Sequence, residues 1–101
     1  MVWEVKIHSL VLEEDLKGLD QRIRRKIFEA IETRLTAAPE AYGKPLLGKF
    51  KGYYRLRVGD YRVIYRIVKK EIRVLVLKVG IRRDEEVYRE LFKRLRKAGL
   101  L

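Results

Sequence analysis

Arginine side chains recur along two strand-like segments in the second half of the sequence, and their spacing favours a phosphate-binding site. Gly59-Asp60 has the length and composition of a two-residue hairpin turn, which sets Arg57 directly opposite Arg62. One face of the hairpin then carries Tyr53 and the four residues we call the arginine face: Arg55, Arg57, Arg62 and Arg66. Opposed like charges destabilise a sheet, and no acidic residue of either segment lies on this face. Because guanidinium groups match phosphate oxygens, the pattern predicts polyanion binding.

A second cluster follows the last predicted strand. Gly80, which is expected to let the chain turn, precedes Arg82 and Arg83. These two arginines leave the sheet beside the strand that carries Arg62, so we expect them near the arginine face. Tyr88 follows in the first turn of a helix. It is either one more apolar residue of that helix or a phenol directed at the arginines.

The net charge is concentrated in the same half of the chain. The 101 residues include 25 Lys+Arg and 14 Asp+Glu, giving a net charge of +11. Residues 51–101 hold 16 of the basic residues and only 6 of the acidic ones. Such an asymmetry is typical of proteins that bind polyanions, nucleic acid first among them. The alternative is a solvated, charge-rich surface of the kind found in thermophilic proteins.

The composition excludes several other kinds of site. Without cysteine the chain has no disulfide, Cys-ligated zinc, iron–sulfur cluster or Cys nucleophile, and a reducing cytoplasm is the expected compartment. His8 is the single histidine, so no metal or cofactor is predicted, and a lone histidine at a strand end is more often a surface residue than a general base. No apolar segment approaches the roughly 20 residues of a membrane span, so no membrane partner is expected.

Hydrophobic periodicity predicts a single α+β domain over residues 1–101. Alternation predicts a strand at 2–8, followed by two helices that form an αα-hairpin. Ser9 is the expected cap of the first helix, and Asp20 that of the second, which runs to about residue 35. Residues 36–52 are predicted as a connecting loop whose apolar members are buried. Those members are Leu46, Leu47 and Phe50.

The rest of the chain is predicted as a β-meander and a final helix. Strands at about 53–58, 61–68 and 71–79 are joined by Gly59-Asp60 and Lys69-Lys70, and an amphipathic helix runs from Asp84 to near Gly99. The face opposite the arginines is apolar and suits cover by the αα-hairpin. Its members are Tyr54, Leu56, Val58, Tyr61, Val63, Tyr65 and Ile67. The third strand is expected to add Arg73, Leu75, Leu77 and Val79 to the side that carries the arginine face.

The ordered motifs resemble the RelE/ParE superfamily of toxins from toxin–antitoxin systems. They are Gly48-Lys49-Phe50-Lys51-Gly52, the run from Tyr54 to Tyr65, and Val79-Gly80-Ile81-Arg82-Arg83 leading into Val87-Tyr88. The αα-hairpin also fits, so the likeness covers nearly the whole chain. The resemblance implies a RelE-like fold, in which the N-terminal strand and αα-hairpin pack on a mainly antiparallel meander with a C-terminal helix.

The RelE branch of this family implies a ribosome-dependent endoribonuclease that cuts mRNA in the A site by attack of a ribose 2′-OH on the adjacent phosphate, without a metal. By position, Arg62, Arg82 and Tyr88 match the family's catalytic residues. Arg55 and Arg57 stand where RelE has lysines, and arginine stays protonated, so they are expected to bind phosphate rather than act as bases. The other expected contacts to RNA phosphates are Arg66, Arg83, Lys49 and Lys51.

The family also implies partners. They are the ribosome, mRNA and a cognate antitoxin. The basic and apolar face is expected to be covered by the C-terminal helix, by an acidic helical segment of the antitoxin, or by each in turn. Two other functions stay open. One is a ParE-like inhibitor of DNA gyrase, and the other is a catalytically inactive module that binds RNA or protein.

Overall fold

The computed structural model describes residues 2–81 and 84–99, without the side chains of residues 84 and 85. The strands are β1 (Glu4–Ile7), β2 (Lys44–Pro45), β3 (Tyr53–Val58), β4 (Tyr61–Val68) and β5 (Arg73–Ile81). The α-helices are α1 (Gln21–Ala30), α2 (Pro39–Tyr42) and α3 (Asp84–Lys97), with π-helical turns at Val11–Asp15 and Ile31–Leu35. Within the described ranges, no helix is long and apolar enough to cross a bilayer.

One five-stranded sheet has the order β1-β5-β4-β3-β2. β1 pairs with β5 in parallel, and the other neighbours are antiparallel. The predicted α+β architecture and the mainly antiparallel meander are therefore confirmed. So is the register of the first hairpin, in which Arg57 pairs with Arg62 and Tyr53 pairs with Arg66.

Each side of the sheet has its own apolar core. The first two helical regions cover one side with Val11, Leu16, Ile27, Ala30, Ile31 and Leu35, which pack on Leu56, Val63 and Tyr65. Helix α3 covers part of the other side with Val87, Leu91 and Leu95, which pack with Ile64 and Leu77. The apolar half of the face that carries the arginines is thus covered by the C-terminal helix of the same chain.

The second hairpin differs from the prediction in two ways. Its connection is a four-residue loop rather than Lys69-Lys70, because Val68 pairs with Arg73. Ile72 ends this loop with φ 52°, which is unusual for a β-branched residue. β5 also has a register shift opposite Ile64 and Tyr65. The one extra residue in β5 reverses which side of the sheet each following side chain faces. The assignment of Val79 to the arginine side was therefore wrong, and Val79 lies in the core beneath the first helices.

The helical predictions hold in part. Asp20 caps α1 as expected, accepting a hydrogen bond from the Arg22 N–H at 2.7 Å. The expected Ser9 cap was wrong, because Nδ1 of His8 accepts the Leu10 N–H at 3.0 Å instead. Leu47 was wrongly expected to be buried and is 85% exposed.

The segment 36–52, predicted as a loop, contains α2 and the short edge strand β2. Pro39 at the first position of α2 is buried, and its carbonyl accepts a hydrogen bond from the fully buried Tyr65 hydroxyl at 2.6 Å. Gly43 follows α2 against the same tyrosine, since a Cβ there would lie 1.8 Å from the Tyr65 hydroxyl oxygen. These contacts fix the position of α2 relative to the sheet.

A buried ionic cluster fastens α3 to the sheet and to the first helical turn. The Asp15 side chain is 2% exposed and accepts hydrogen bonds from both Nη atoms of Arg94 at 2.8 Å, from Lys78 Nζ at 2.9 Å and from the Val79 N–H at 2.8 Å. Burial raises the pKa of the Asp15 carboxyl, but these hydrogen bonds outweigh burial and hold that pKa below its ordinary value. The same carboxylate raises the pKa of Arg94.

We predict that Asp15→Asn lowers the free energy of unfolding at neutral pH by about 3 kcal/mol, because it removes the buried carboxylate that Lys78 and Arg94 share and leaves these cations with the more exposed carboxylates of Glu90 and Glu14. The pKa of Asp15 is depressed in the folded state. The stability that its carboxylate contributes to the fold is therefore complete above the unfolded pKa of about 4, and it is lost as pH falls through the folded pKa. Urea unfolding at neutral and acidic pH should therefore show a smaller loss on acidification in the variant than in the wild type.

Glu13→Gln is the matched control, because Glu13 is exposed in the same helical turn. Its effect should stay within about 0.5 kcal/mol. Equal unfolding free energies for wild type and Asp15→Asn at neutral pH would contradict the role given to the cluster.

Candidate nucleic-acid interface

The arginine face lies on β3 and β4 as the sequence predicts. The Leu46 N–H donates to the Tyr53 carbonyl at 2.8 Å, so Tyr53 turns its backbone groups toward β2, and by alternation so do Arg55 and Arg57. The pair Arg57–Arg62 is therefore of the non-hydrogen-bonded kind, in which opposed side chains approach most closely. The backbone register therefore places these two cationic residues directly opposite each other on neighbouring strands.

The four arginines differ in exposure. Arg57 and Arg66 are exposed, Arg55 is half-buried, and Arg62 is only 9% exposed. Arg62 pairs with Gly80, and a Cβ at position 80 would lie 2.6 Å from a methyl carbon of Val87. Glycine is thus required here for the close approach of α3, rather than for the turn that we expected. The first turn of α3 consequently packs beside Arg62.

The same turn of α3 brings Tyr88 to the arginine face. Arg55 Nη1 donates to the Tyr88 hydroxyl oxygen at 3.4 Å, and the Tyr88 ring packs against Phe50 at 5.9 Å between centroids. Tyr88 is therefore directed at the arginines and is not simply one more apolar residue of the helix. A mainly apolar groove of about 370 Å³ opens at this contact, lined by Lys44, Pro45, Leu46, Leu47, Phe50, Arg55 and Tyr88.

The remaining predicted residues are less concentrated. Lys49 is exposed and places its ammonium 4.2 Å from the centroid of the Phe92 ring, so it contacts α3 rather than the arginines. Lys51 is exposed in the turn before β3. Arg82 and Arg83 lie outside the described residues.

Sequence reasoning missed three residues at the edge of the sheet. Arg34, Tyr42 and Lys44 join Arg55, Leu56 and Arg57 around a groove of about 150 Å³, which we call the edge groove. No strand pattern in the sequence points to these residues, because the stretch around Gly43-Lys44-Pro45 has the composition of a loop and does not indicate that Lys44 pairs with Arg55. The edge groove and the groove at Tyr88 share Lys44 and Arg55.

Taken together, these groups can neutralise phosphate and supply a hydroxyl next to it. Arg55 donates to the Tyr88 oxygen, so the phenol retains its own proton for donation to another oxygen. No group of three or more His, Asp or Glu residues suited to a metal ion occurs in the described part of the chain.

Comparison with known proteins identifies the family. The family described as "ParE toxin of type II toxin-antitoxin system, parDE" matches residues 5–86. The chain belongs to the RelE/ParE superfamily of type II toxins. The mRNA interferase toxin RelE of Escherichia coli is 32% identical to this toxin over 75 residues, which are 74% of this chain and 75% of that protein.

Two comparisons with Mycobacterium tuberculosis, one of sequence and one of structure, extend this result. Toxin RelG is 36% identical over 75 residues, covering 74% of this chain and 84% of that protein. A chain from the crystal structure of the toxin–antitoxin complex RelBE2 superposes on this toxin with a TM-score of 0.76 at 30% identity, covering 81% of this chain and 100% of that one. The predicted RelE-like fold is thereby confirmed.

The like-charged pair should cost this toxin stability. We predict that Arg57→Glu raises the free energy of unfolding by about 0.2 to 1 kcal/mol, because it replaces a cross-strand repulsion by an attraction to Arg62. Urea unfolding at low salt measures the difference. The control is Arg66→Glu, because the residues directly opposite position 66, Tyr53 and Leu75, carry no charge. Equal gains in both variants would mean that lower net charge, rather than the pair, is responsible.

Proposed function

We propose that this toxin is a ribosome-dependent, metal-independent endoribonuclease that cleaves mRNA in the ribosomal A site. The observation that carries the proposal is the contact between Arg55 and Tyr88 beside the opposed pair Arg57 and Arg62. It joins cations that bind phosphate to a hydroxyl that can transfer a proton. The name mRNA interferase, borne by a relative at 32% identity, supports the same activity.

In the proposed reaction, a ribose 2′-oxygen attacks the adjacent phosphorus and the bond to the 5′-oxygen of the next nucleotide breaks. Negative charge grows on the phosphoryl oxygens as the new bond forms. Arg55, Arg57 and Arg62 stabilise that charge, and they need little rearrangement because they project from paired strands rather than from a loop. Arg66, Arg83, Lys49 and Lys51 are proposed as further contacts to RNA phosphates.

Proton transfer is divided between the toxin and its surroundings. Tyr88 donates the proton that the leaving 5′-oxygen requires, because Arg55 already occupies a lone pair of the phenol oxygen. Arg82, by its match to the family, assists the leaving group. No arginine can accept the proton of the 2′-OH, since a guanidinium stays protonated. A group on the ribosome supplies that base, which accounts for ribosome dependence.

The burial of Arg62 restricts how this side chain can contact phosphate. With 9% of its surface exposed and the first turn of α3 beside it, Arg62 meets phosphate through a small opening or after a shift of that turn. Because Tyr88 belongs to the same turn, substrate contact with Tyr88 and access to Arg62 are coupled in the proposed mechanism.

We predict that Arg62→Gln lowers ribosome-dependent cleavage by about 100- to 1,000-fold, through loss of charge stabilisation. Tyr88→Phe lowers it by about 100-fold, through loss of the proton donor. Mapping of mRNA 5′ ends by primer extension in a cell-free translation extract, with and without ribosomes, measures both.

Tyr61→Phe is the matched control for the phenol, because Tyr61 packs on the opposite side of the sheet. Thermal unfolding of each variant separates lost chemistry from lost fold. Undiminished cleavage by both Arg62→Gln and Tyr88→Phe would contradict the residue roles, and equal cleavage of ribosome-free message would contradict ribosome dependence.

We further infer that a helical segment of a cognate antitoxin, rich in acidic residues, covers the arginine face. Support comes from the exposed cations Arg57 and Arg66, and from the likeness of this toxin to one chain of the RelBE2 toxin–antitoxin complex. The apolar half of the same side, with Leu75 and Leu77, lies under α3, so an antitoxin that reaches it must displace this helix.

Titration of the toxin with the antitoxin encoded beside its gene tests this contact. Arg57→Glu should weaken binding by about tenfold, and the affinity of the wild type should fall with salt. Arg25→Glu on the exposed surface of α1 is the charge-matched control. Equal weakening by the two variants would mean that the antitoxin senses net charge and does not dock on the arginine face.

The match to the ParE family favours inhibition of DNA gyrase as the second candidate function. A supercoiling assay with gyrase and relaxed plasmid distinguishes it. Inhibited supercoiling together with intact message would replace the nuclease proposal. Salt-sensitive RNA binding with neither effect would instead indicate an inactive binding module.

A further inference from the structure

The edge groove has features of a nucleotide-binding site in its own right. It lies where β2 ends, since β2 pairs with β3 only at Lys44–Arg55 and Pro45–Tyr54. Beyond this point β2 offers no pairing partner to Arg57. The groove thus crosses the sheet edge from the arginine face to the helical layer that carries Arg34.

Four of the six lining residues are cations, and none is a carboxylate. Among the described residues, Arg34, Lys44 and Arg57 form no ion pair with an acidic side chain. Converging charges of one sign in a concave site raise the local concentration of an oppositely charged ligand. The electrostatics of the groove therefore favour an anion with more than one charge.

The edge groove is also lined by the aromatic ring of Tyr42. It is 55% exposed at the end of α2, where a large ring would ordinarily be covered. The backbone on either side of Tyr42 is nevertheless held in place, because the Pro39 carbonyl accepts a hydrogen bond from the buried Tyr65 hydroxyl and Gly43 packs against that same side chain. An exposed ring among cations is the arrangement that stacks an unpaired nucleobase while its phosphates are neutralised.

We propose that the edge groove binds nucleotides of single-stranded RNA that flank the cleaved phosphate, with a base stacked on Tyr42 and phosphates at Arg34 and Lys44. This inference rests on the proposed function for its substrate class. Arg55 lines both grooves, so one RNA strand can run continuously from the contact with Tyr88 to the edge of the sheet. Arg34, Tyr42 and Lys44 extend the footprint on RNA and take no part in the chemistry.

The test measures binding without cleavage, so that its outcome does not depend on nuclease activity. Fluorescence anisotropy with uncleavable 2′-O-methyl RNA oligonucleotides of about four and about ten nucleotides compares short and long ligands. The wild type should bind the longer RNA more tightly. Arg34→Ala and Tyr42→Ala should each weaken binding of the longer RNA by about tenfold and leave binding of the shorter one within about twofold.

Two control variants isolate the causes. Tyr42→Phe keeps the ring and should bind like the wild type, and Arg25→Ala removes one exposed charge from α1, away from the groove. Arg34→Ala should also reduce the steepness of the salt dependence by about one phosphate contact, whereas Tyr42→Ala should not.

Unchanged affinity for the longer RNA in both Arg34→Ala and Tyr42→Ala would overturn the proposal. So would a loss of antitoxin affinity in these variants with RNA binding intact, since the occupant would then be an acidic protein segment. A failure of the nuclease proposal has a different signature, in which the length dependence and the variant effects persist while message stays uncut.

Discussion

The Asp15 carboxylate is the interaction on which the position of the candidate site depends. β1 ends at Ile7, so beyond it the backbone of β5 has no strand partner on that side, and Asp15 takes the place of a strand by accepting the Val79 N–H. The same carboxylate holds Arg94 of α3 and Lys78 of β5. One buried anion therefore joins three elements, and the helix it fastens is the one that presents Tyr88 to Arg55.

Near the N-terminal end of α3, some contacts stabilise the folded state and others destabilise it. The ionic cluster and the apolar contacts of Val87, Leu91 and Leu95 stabilise α3 on the sheet. The pairing of Arg57 with Arg62 works against the folded state, and Arg62 is nearly covered as well. Such locally unfavourable like-charge pairs are common where a protein binds charge, because an anionic ligand relieves the repulsion.

The sequence was most informative where pattern and turn chemistry are local. The Gly59-Asp60 turn fixed the register of the first hairpin, and with it every member of the arginine face. The sequence was less informative where contacts between distant residues determine the structure. The register shift in β5 moved Val79 to the other side of the sheet, and the close packing of Val87 against Gly80 depends on the approach of α3, which neither residue type indicates. Lys44, Tyr42 and Arg34 belong to three different elements, so only folding brings them together.

The proline of β2 has a consequence for how this strongly basic protein behaves in concentrated solution. β2 is the outermost strand on its side, and an open strand edge invites the strands of other molecules to add on. Pro45 has no N–H to offer such a strand, and β2 extends for only two residues before the chain turns away. With the electrostatic repulsion of a net charge of +11, this short edge lets the surface beside it stay open to solvent without promoting intermolecular β-aggregation.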